Sequence, residues 1–217
     1  MSAPLFTPFP KMPRLSRECI ITEKIDGTNA SVAIVADGGQ PFDKAICSWH
    51  QDGESWSMLA GSRTRWITPK DDNFGFARWV EENQRALMGL GPGHHFGEWW
   101  GQGIQRGYGL TEKRWSLFNV SRWCLHSDEP KRIVTADPRI EKYQEPLPAC
   151  CHLVPVLHCG EFDTKKANFE LDCLHDFGSQ AAPGFMNPEG IVIYHIAGNV
   201  GFKKTIEKDG EPKGGRS

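Results

Sequence analysis

The part of the chain that decides its fold reads Glu23-Lys24-Ile25-Asp26-Gly27-Thr28-Asn29. The preceding residues 19–24, CIITEK, are rich in β-branched side chains and predict a strand. Asp26 and Gly27 predict a turn, and residues 30–35, ASVAIV, predict the returning strand of a β-hairpin. We therefore expect Lys24 at the mouth of a hairpin.

A lysine and a carboxylate are expected to share one pocket there, because side chains alternate along a strand and Lys24 and Asp26 tend toward the same side. A lysine attacks phosphorus only as the free amine, so burial or a cation must favour that form. Bound Mg²⁺ could supply the charge, as could Arg63, Arg65, Lys203 or Lys204. A solvated lysine on a surface hairpin fits this short string equally well.

Composition limits the alternatives for the whole chain. The 217 residues, 39% of them hydrophobic and 24% charged, suffice for one main core. A net charge of −2 argues against a protein that coats nucleic acid, so any such contact must be a local basic surface. No apolar run approaches the roughly 18 residues of a membrane span, and the N-terminus lacks a signal-peptide core. We expect a soluble, cytoplasmic protein without membrane contact.

Two helices are predicted further along the chain. Residues 72–90 place apolar side chains at helical spacing, with Asp72 or Asn73 as the cap and Gly-Pro-Gly as the stop. In residues 164–177 one face carries Ala167, Leu171, Leu174 and Phe177, and Gly178 can end the helix.

Strands account for most of the remaining sequence. Residues 95–99, 115–120 and 190–194 form short β-rich runs. We expect an α+β fold with antiparallel sheets flanked by helices, one domain over residues 1–205, and a polar tail over residues 206–217 that cannot bury enough apolar surface to order itself.

A set of motifs carries a resemblance to a known family. Lys24-Ile25-Asp26-Gly27 resembles the nucleotidyl-acceptor motif of the covalent nucleotidyltransferases, which are the DNA ligases, RNA ligases and mRNA capping enzymes. Similar matches follow in order at Gly61-Ser62-Arg63-Thr64-Arg65, Phe96-Gly97-Glu98-Trp99, Trp115-Ser116-Leu117-Phe118-Asn119-Val120, Pro188-Glu189-Gly190-Ile191-Val192-Ile193 and Gly201-Phe202-Lys203-Lys204-Thr205. Within the family, the chain looks most like the RNA ligases that seal breaks in duplex RNA.

The resemblance implies a fold and an activity. The fold would be a nucleotidyltransferase domain of the ATP-grasp-like ligase adenylation type. The activity would be ATP-dependent joining of 5′-phosphate and 3′-hydroxyl ends, as in RNA repair, through a lysyl-AMP and an adenylated nucleic acid. RNA ends or a nicked duplex would be the partner, with oligomeric state left open. A DNA-specific ligase, a guanylyltransferase and a non-catalytic nucleic-acid-binding module remain the alternatives.

The resemblance also implies roles for individual residues. Lys24 would be the nucleophile and Glu189 the ligand of Mg²⁺, or of Mn²⁺ in its place. The ATP site would comprise Glu23 at the adenine, Arg63 at phosphate or ribose, Glu98 at the ribose hydroxyls, Phe118 stacked on the base, Lys203 and Lys204 at the α-phosphate, and Asp26, Asn29 and Glu189.

The chain departs from the family pattern at two points. Its lysines Lys203 and Lys204 are adjacent, whereas the family separates them by one residue, so they must point to opposite faces and we favour Lys203 for the phosphate. Nothing that resembles a folded unit follows Thr205, so we expect the core itself or partners to bind the substrate.

Two weaker signals receive other interpretations. The glycine-rich residues 101–107 do not have dinucleotide-loop spacing, and with Arg106, Lys113 and Arg114 they suggest a mobile loop that meets the substrate backbone, or merely a solvated one. The cysteines and histidines of residues 150–159 fit no zinc spacing, and the cysteines are better explained as free, buried thiols.

Overall fold

The computed structural model describes residues 5–124, 131–133, 142–207 and 209–210. Its strands are β1 (Glu18–Lys24), β2 (Thr28–Ala36), β3 (Ala45–Gln51), β4 (Glu54–Ser62), β5 (Trp66–Ile67), β6 (Gly93–Gly101), β7 (Lys113–Leu117), β8 (Trp123–Cys124), β9 (Lys131–Ile133), β10 (Lys142–Pro146), β11 (His152–Leu153), β12 (Val156–Glu161), β13 (Gly190–His195) and β14 (Val200–Thr205). The helices are α1 (Phe76–Glu82), α2 (Gln84–Leu87) and α3 (Thr164–Phe177), with a 3-10 turn at Met88–Leu90. The predicted α+β class is confirmed.

The smaller of two main sheets has the strand order β12-β1-β13-β14, with every pair antiparallel. One face of this sheet packs against α3 through a core that includes Cys19, Ile21, Ile191 and Leu174. The other face carries the alternate side chains of β1, ending with Lys24.

The larger sheet has the order β11-β7-β6-β2-β4-β3, and β5 pairs with β4. Its central strand β2 is buried over residues 30–34, which explains why all of these residues except Ser31 are apolar. Beneath one face α1 contributes to the main core, where the rings of Phe76, Trp79, Trp99 and Trp115 contact one another. A separate three-stranded sheet has the order β8-β10-β9.

The predicted hairpin around Asp26 and Gly27 is wrong, although both of its strands exist. The edges of β1 are taken by β12 and β13, and those of β2 by β4 and β6. Distant segments supply these pairings, so the local pattern could not reveal them. Residues 25–27 instead cross from one sheet to the other.

The crossing is possible because residue 27 is glycine. A Cβ on Gly27 would lie 2.4 Å from the carbonyl oxygen of Trp99 and 2.8 Å from the Cβ of Trp100. Across the same junction, an apolar cluster that includes Ile25, Trp100 and Tyr108 joins the two sheets.

The helix predicted over residues 72–90 is divided into α1, α2 and the 3-10 turn. At the break, the side-chain amide of Asn83 donates to the carbonyl of Trp79 and ends α1. Asp72 does cap this helix, but from upstream of the N-cap residue Gly75, by accepting hydrogen bonds from the N–H groups of Ala77 and Arg78.

The second predicted helix is confirmed as α3, with Asp163 accepting a hydrogen bond from the Lys165 N–H at its start. Ala167 and Leu174 are buried as expected, but Phe177 is 79% exposed. At about 100° per residue, Phe177 lies about 80° from Ala167 around the helix, which puts it outside the apolar stripe.

Two further features are the length of the helices and the C-terminal tail. None of the helices in the described ranges is long and apolar enough to cross a membrane. Of the predicted polar tail, residue 208 and residues 211–217 lie outside the described residues.

Replacing Gly27 by alanine should destabilise the protein by at least about 1–3 kcal/mol, because the new methyl group would overlap the backbone of Trp99. The free energy of unfolding from urea titration measures the loss. Gly201→Ala is the matched control, since a Cβ there meets no atom within 4 Å. Equal stability of the Gly27→Ala and Gly201→Ala variants would contradict the described crossing.

Candidate active site

Lys24 and Glu189 form an ion pair at the end of the smaller sheet. The register of β1 and β13 sets Lys24 opposite Gly190, and this brings the preceding residue, Glu189, to the lysine. The Lys24 Nζ lies 2.5 Å from Glu189 Oε2, with side-chain exposures of 18% and 6%. The Lys24 amine and the Glu189 carboxylate thus meet in a largely desolvated position.

Glu98 approaches the same place from the larger sheet. Its carboxylate accepts hydrogen bonds from the Gly27 N–H at 3.1 Å and from the Asn29 side-chain amide at 3.0 Å. Burial raises the pKa of Glu98 to about 7, against the lowering effects of the nearby Lys24 charge and of these two donors. The carboxylate is therefore held on the junction that carries Lys24.

Asp26 is fixed by two residues of the glycine-rich segment that follows β6. The Tyr108 hydroxyl accepts a hydrogen bond from the Asp26 N–H at 2.8 Å, and Arg106 Nε lies 3.1 Å from Asp26 Oδ2. Arg106 also donates to the carbonyl and side-chain oxygens of Asn187 at 3.0 and 2.7 Å. Arg106 therefore connects the turn after β1 to the segment that precedes Glu189.

Sequence reasoning missed this function of Arg106 and Tyr108. It placed Arg106 on a mobile or solvated loop, but the guanidinium makes contacts inside the protein. The only sequence signal was a basic and an aromatic residue within a glycine-rich stretch, which does not identify partners about eighty residues away.

Glu23 lies on the face of β1 opposite to Lys24, because neighbouring side chains alternate. Its buried carboxylate accepts hydrogen bonds from the Ser179 hydroxyl and from the N–H groups of Gln180 and Ala181. Burial raises the pKa of Glu23, and these hydrogen bonds oppose the shift. The structure thus places Glu23 against the loop after α3, and its contact with adenine stays a prediction.

The two lysines of β14 face opposite ways, as their adjacency predicts. Lys203 is paired with Val192, which in turn is paired with Thr22 on the Lys24 face of the smaller sheet. Lys204 is on the α3 side, where its Nζ donates to the Asn168 side chain at 2.5 Å. This geometry favours Lys203 over Lys204 as a group of the site.

Comparison with known proteins supplies the family. A family model described as RNA ligase matches residues 17–208 of the chain.

The chain belongs to the RNA ligase family, within the covalent nucleotidyltransferases. Among solved structures, it is similar to mutants of a Naegleria gruberi RNA ligase, each at 17% identity over 88% of this chain and 50% of that one. The TM-scores are 0.48 for an apo form, 0.49 for one with ATP and Mn and 0.47 for one with AMP and Mn. The chain spans about half the length of these structures. No curated protein matches it significantly.

Two more residues of the predicted ATP site in this RNA ligase domain lie on the larger sheet. Phe118 directly follows β7 and is 42% exposed, and its N–H donates to the Phe96 carbonyl. Arg63 directly follows β4 and is exposed, with no hydrogen bond or ion pair inside the described ranges. Both are accessible to a ligand at the edge of the site.

The other basic candidates have partners within the protein. Arg65 forms an ion pair with Asp71, and Arg114 with Glu112. Lys113 donates to the carbonyl of Phe74. In the part of the chain that is described, no group of three or more histidine, cysteine, aspartate or glutamate side chains is arranged to hold a metal ion. Residues 150–159 thus offer no such group.

The raised pKa of Glu98 should appear in the pH dependence of stability. Because this pKa is about 7 in the folded protein against 4.5 for an ordinary glutamate, the folded state holds the proton more tightly. The resulting stabilisation is full below pH 4.5 and is lost as the pH rises through 7. In urea titrations of wild type and Glu98→Gln between pH 4 and pH 8, the free energy of unfolding of wild type should fall by up to about 3 kcal/mol relative to that of the variant.

The change of this stability difference with pH removes any pH-independent cost of the glutamine. It also removes the contribution of titrating groups that do not interact with Glu98, although Lys24 and Glu189 do interact with it. A wild type and a variant whose stabilities run parallel over the whole pH range would contradict an abnormal pKa at Glu98.

Proposed function

We propose that this chain is the adenylation domain of an ATP-dependent RNA ligase and that Lys24 carries the covalent AMP. The meeting of Lys24, Glu189, Glu98 and Asn29 at the junction of two sheets carries the proposal. Three motifs separated by up to 165 residues supply these side chains. Packing alone does not require a desolvated lysine between two carboxylates.

In the first step, the Lys24 ammonium loses a proton to solvent, and the free Nζ amine attacks the α-phosphorus of ATP. A phosphorus–nitrogen bond forms as the bond to pyrophosphate breaks, and pyrophosphate leaves. The pairing with Glu189 holds the amine in place before ATP arrives. The lysine side chain is mostly buried, so water that would compete for the phosphorus is largely kept away.

Glu189 is the residue proposed to hold Mg²⁺, or Mn²⁺ in its place. Magnesium in phosphoryl-transfer sites is bound by one or two carboxylates together with substrate phosphates, so the absence of a larger cluster in the described residues fits this use. When bound, the ion would neutralise phosphate oxygens and favour the unprotonated amine.

The remaining residues would position ATP. The Glu98 carboxylate and the Asn29 amide lie together, where they could accept from and donate to the ribose hydroxyls. Exposed Phe118 offers a ring for the adenine, and base stacking contributes about 1–3 kcal/mol. Arg63 and Lys203 would neutralise phosphate oxygens, while Asp26 and Glu23 hold the two ends of the acceptor motif in place.

In the later steps, AMP passes from Lys24 to a 5′-phosphate of RNA, and a 3′-hydroxyl displaces it. RNA ends or a nicked duplex are the proposed substrates of the domain, which we assign to residues 1–205. A cytoplasmic location and a role in RNA repair stay predictions from the sequence.

Incubation with α-labelled ATP and Mg²⁺, followed by denaturing electrophoresis, tests the proposed function. Wild type should become labelled and should lose the label when nicked RNA is added. Lys24→Ala should remain unlabelled, because no other amine lies between Glu189 and Glu98 in the described residues. Lys70→Ala, which removes an exposed lysine elsewhere, is the control and should label like wild type. Unlabelled wild-type protein would refute the proposal.

The two lysines of β14 should differ in their effect on the same assay. Lys203→Ala should slow lysyl-AMP formation at least about tenfold, because it removes a cation from the Lys24 face. Lys204→Ala should change the rate far less, because its ammonium contacts Asn168 on the other face. The initial labelling rate measures both effects, and a larger loss with Lys204→Ala would reverse the assignment.

A further inference from the structure

Three aromatic side chains, Trp66, His94 and Phe96, form a row on the exposed face of the larger sheet. Strand register puts them there: Phe96 pairs with Ser31, Ser31 pairs with Gly61, and Gly61 pairs with Trp66. His94 lies two residues from Phe96 on the same face of β6. We call these three side chains the aromatic row.

The rings of the aromatic row stack on one another. The His94 and Phe96 ring centres are 4.1 Å apart, and those of Trp66 and His94 are 5.4 Å apart, with interplanar angles of 31° and 29°. The Ser31 hydroxyl lies 3.0 Å from His94 Nε2 and orients that ring. A Cβ on Gly61 would come within 3.2 Å of the Trp66 ring, so the glycine lets the indole lie close to the strand.

The rings of the aromatic row pack against one another as core side chains do, but they are exposed to solvent. Phe96 is 54% exposed and Trp66 is 37% exposed, and His94 is also exposed. Partial burial of its ring lowers the pKa of His94, which favours the uncharged ring. Large aromatic rings fixed in place at a surface are typical of binding sites.

The aromatic row adjoins the proposed nucleotide site. Phe96 is two residues from Glu98 on the same face of β6, a separation of about 7 Å. Phe118, the proposed adenine-stacking residue, contacts the Phe96 carbonyl through its N–H. The row therefore starts beside the ATP base and leads away from it across β2 and β4 toward Trp66.

A positive charge accompanies the row. Arg63 directly follows β4, the strand against which Trp66 packs, and it is exposed without a hydrogen bond or ion pair among the described residues. Flat aromatic rings match the bases of a nucleic-acid strand, which stack on them. In the absence of ATP, the exposed Arg63, two residues after Gly61, is also available to the negatively charged phosphates of that strand. The position of the row beside the proposed nucleotide site favours RNA over a protein partner, because the RNA ends to be joined must come to that site.

We propose that the aromatic row binds bases of the RNA strand to be sealed, next to the nucleotide site. This inference rests on the proposed function and adds to it the surface that grips RNA. Stacking on Phe96 and Trp66 would be independent of sequence, because every base has a flat face.

Fluorescence anisotropy with a labelled nicked RNA duplex that carries a 5′-phosphate, measured without ATP, tests the row. Phe96→Leu and Trp66→Leu should each raise the Kd about tenfold, since each removes a stacking ring. Phe96→Tyr keeps the ring and should bind like wild type. Phe169→Leu alters another exposed phenylalanine, on α3, and should change nothing.

Labelling with α-labelled ATP, done on the same proteins without RNA, separates the two claims. Wild type and the Leu variants should all form lysyl-AMP, which also shows that the variants are folded. If wild type forms lysyl-AMP and the Leu variants bind RNA as tightly as wild type, the proposal that the aromatic row binds RNA is refuted. The proposed function is not affected by that result. Wild type without label would refute the proposed function instead. Light scattering gives a further outcome. If Phe96→Leu differs from wild type in oligomeric state but not in RNA affinity, the row is a contact between two copies of this chain, and the proposal that it binds RNA is refuted.

Discussion

The pairing of β1 with β13 is the constraint on which the site depends. Because Lys24 ends β1 opposite Gly190, the register of this one pair decides whether the amine meets the Glu189 carboxylate. A slip by one residue would turn Lys24 to the α3 side and bring Glu23 to the site. The register is held by Ile21 and Ile191 in the core under α3, and by the hydrogen bonds of Glu23 to the loop at residues 179–181.

The second constraint is the close approach of the two sheets at Gly27. The Gly27 N–H donates to Glu98, and the missing side chain leaves room for the backbone of Trp99. Arg106 and Tyr108 then hold Asp26 on the other side of the crossing. Lys24 is thus positioned by contacts from both sheets, and none of these contacts needs the lysine itself.

The sequence predicted those features that depend on local pattern or on the family motifs. Helix α3 was found with its bounds, because its apolar spacing, its N-terminal region and Gly178 lie within one short segment. The opposite directions of Lys203 and Lys204 followed from strand alternation. The motifs also marked Glu98 and Glu189, which the fold brings to Lys24. The predicted hairpin was wrong, and Arg106 was wrongly predicted to lie on a mobile or solvated loop, because both features depend on partners far away in sequence. The stacking of Trp66 on His94 was missed for the same reason, since the two residues are on different strands.

We propose that this arrangement makes Lys24 the covalent acceptor of AMP. Peptide mapping by mass spectrometry, after the 217-residue protein is incubated with unlabelled ATP and Mg²⁺, locates the modification directly. We predict one AMP on the peptide that contains Lys24, with no other lysine modified. AMP found on Lys203 or another lysine, or an unmodified Lys24 peptide under conditions in which ATP is consumed, would contradict it.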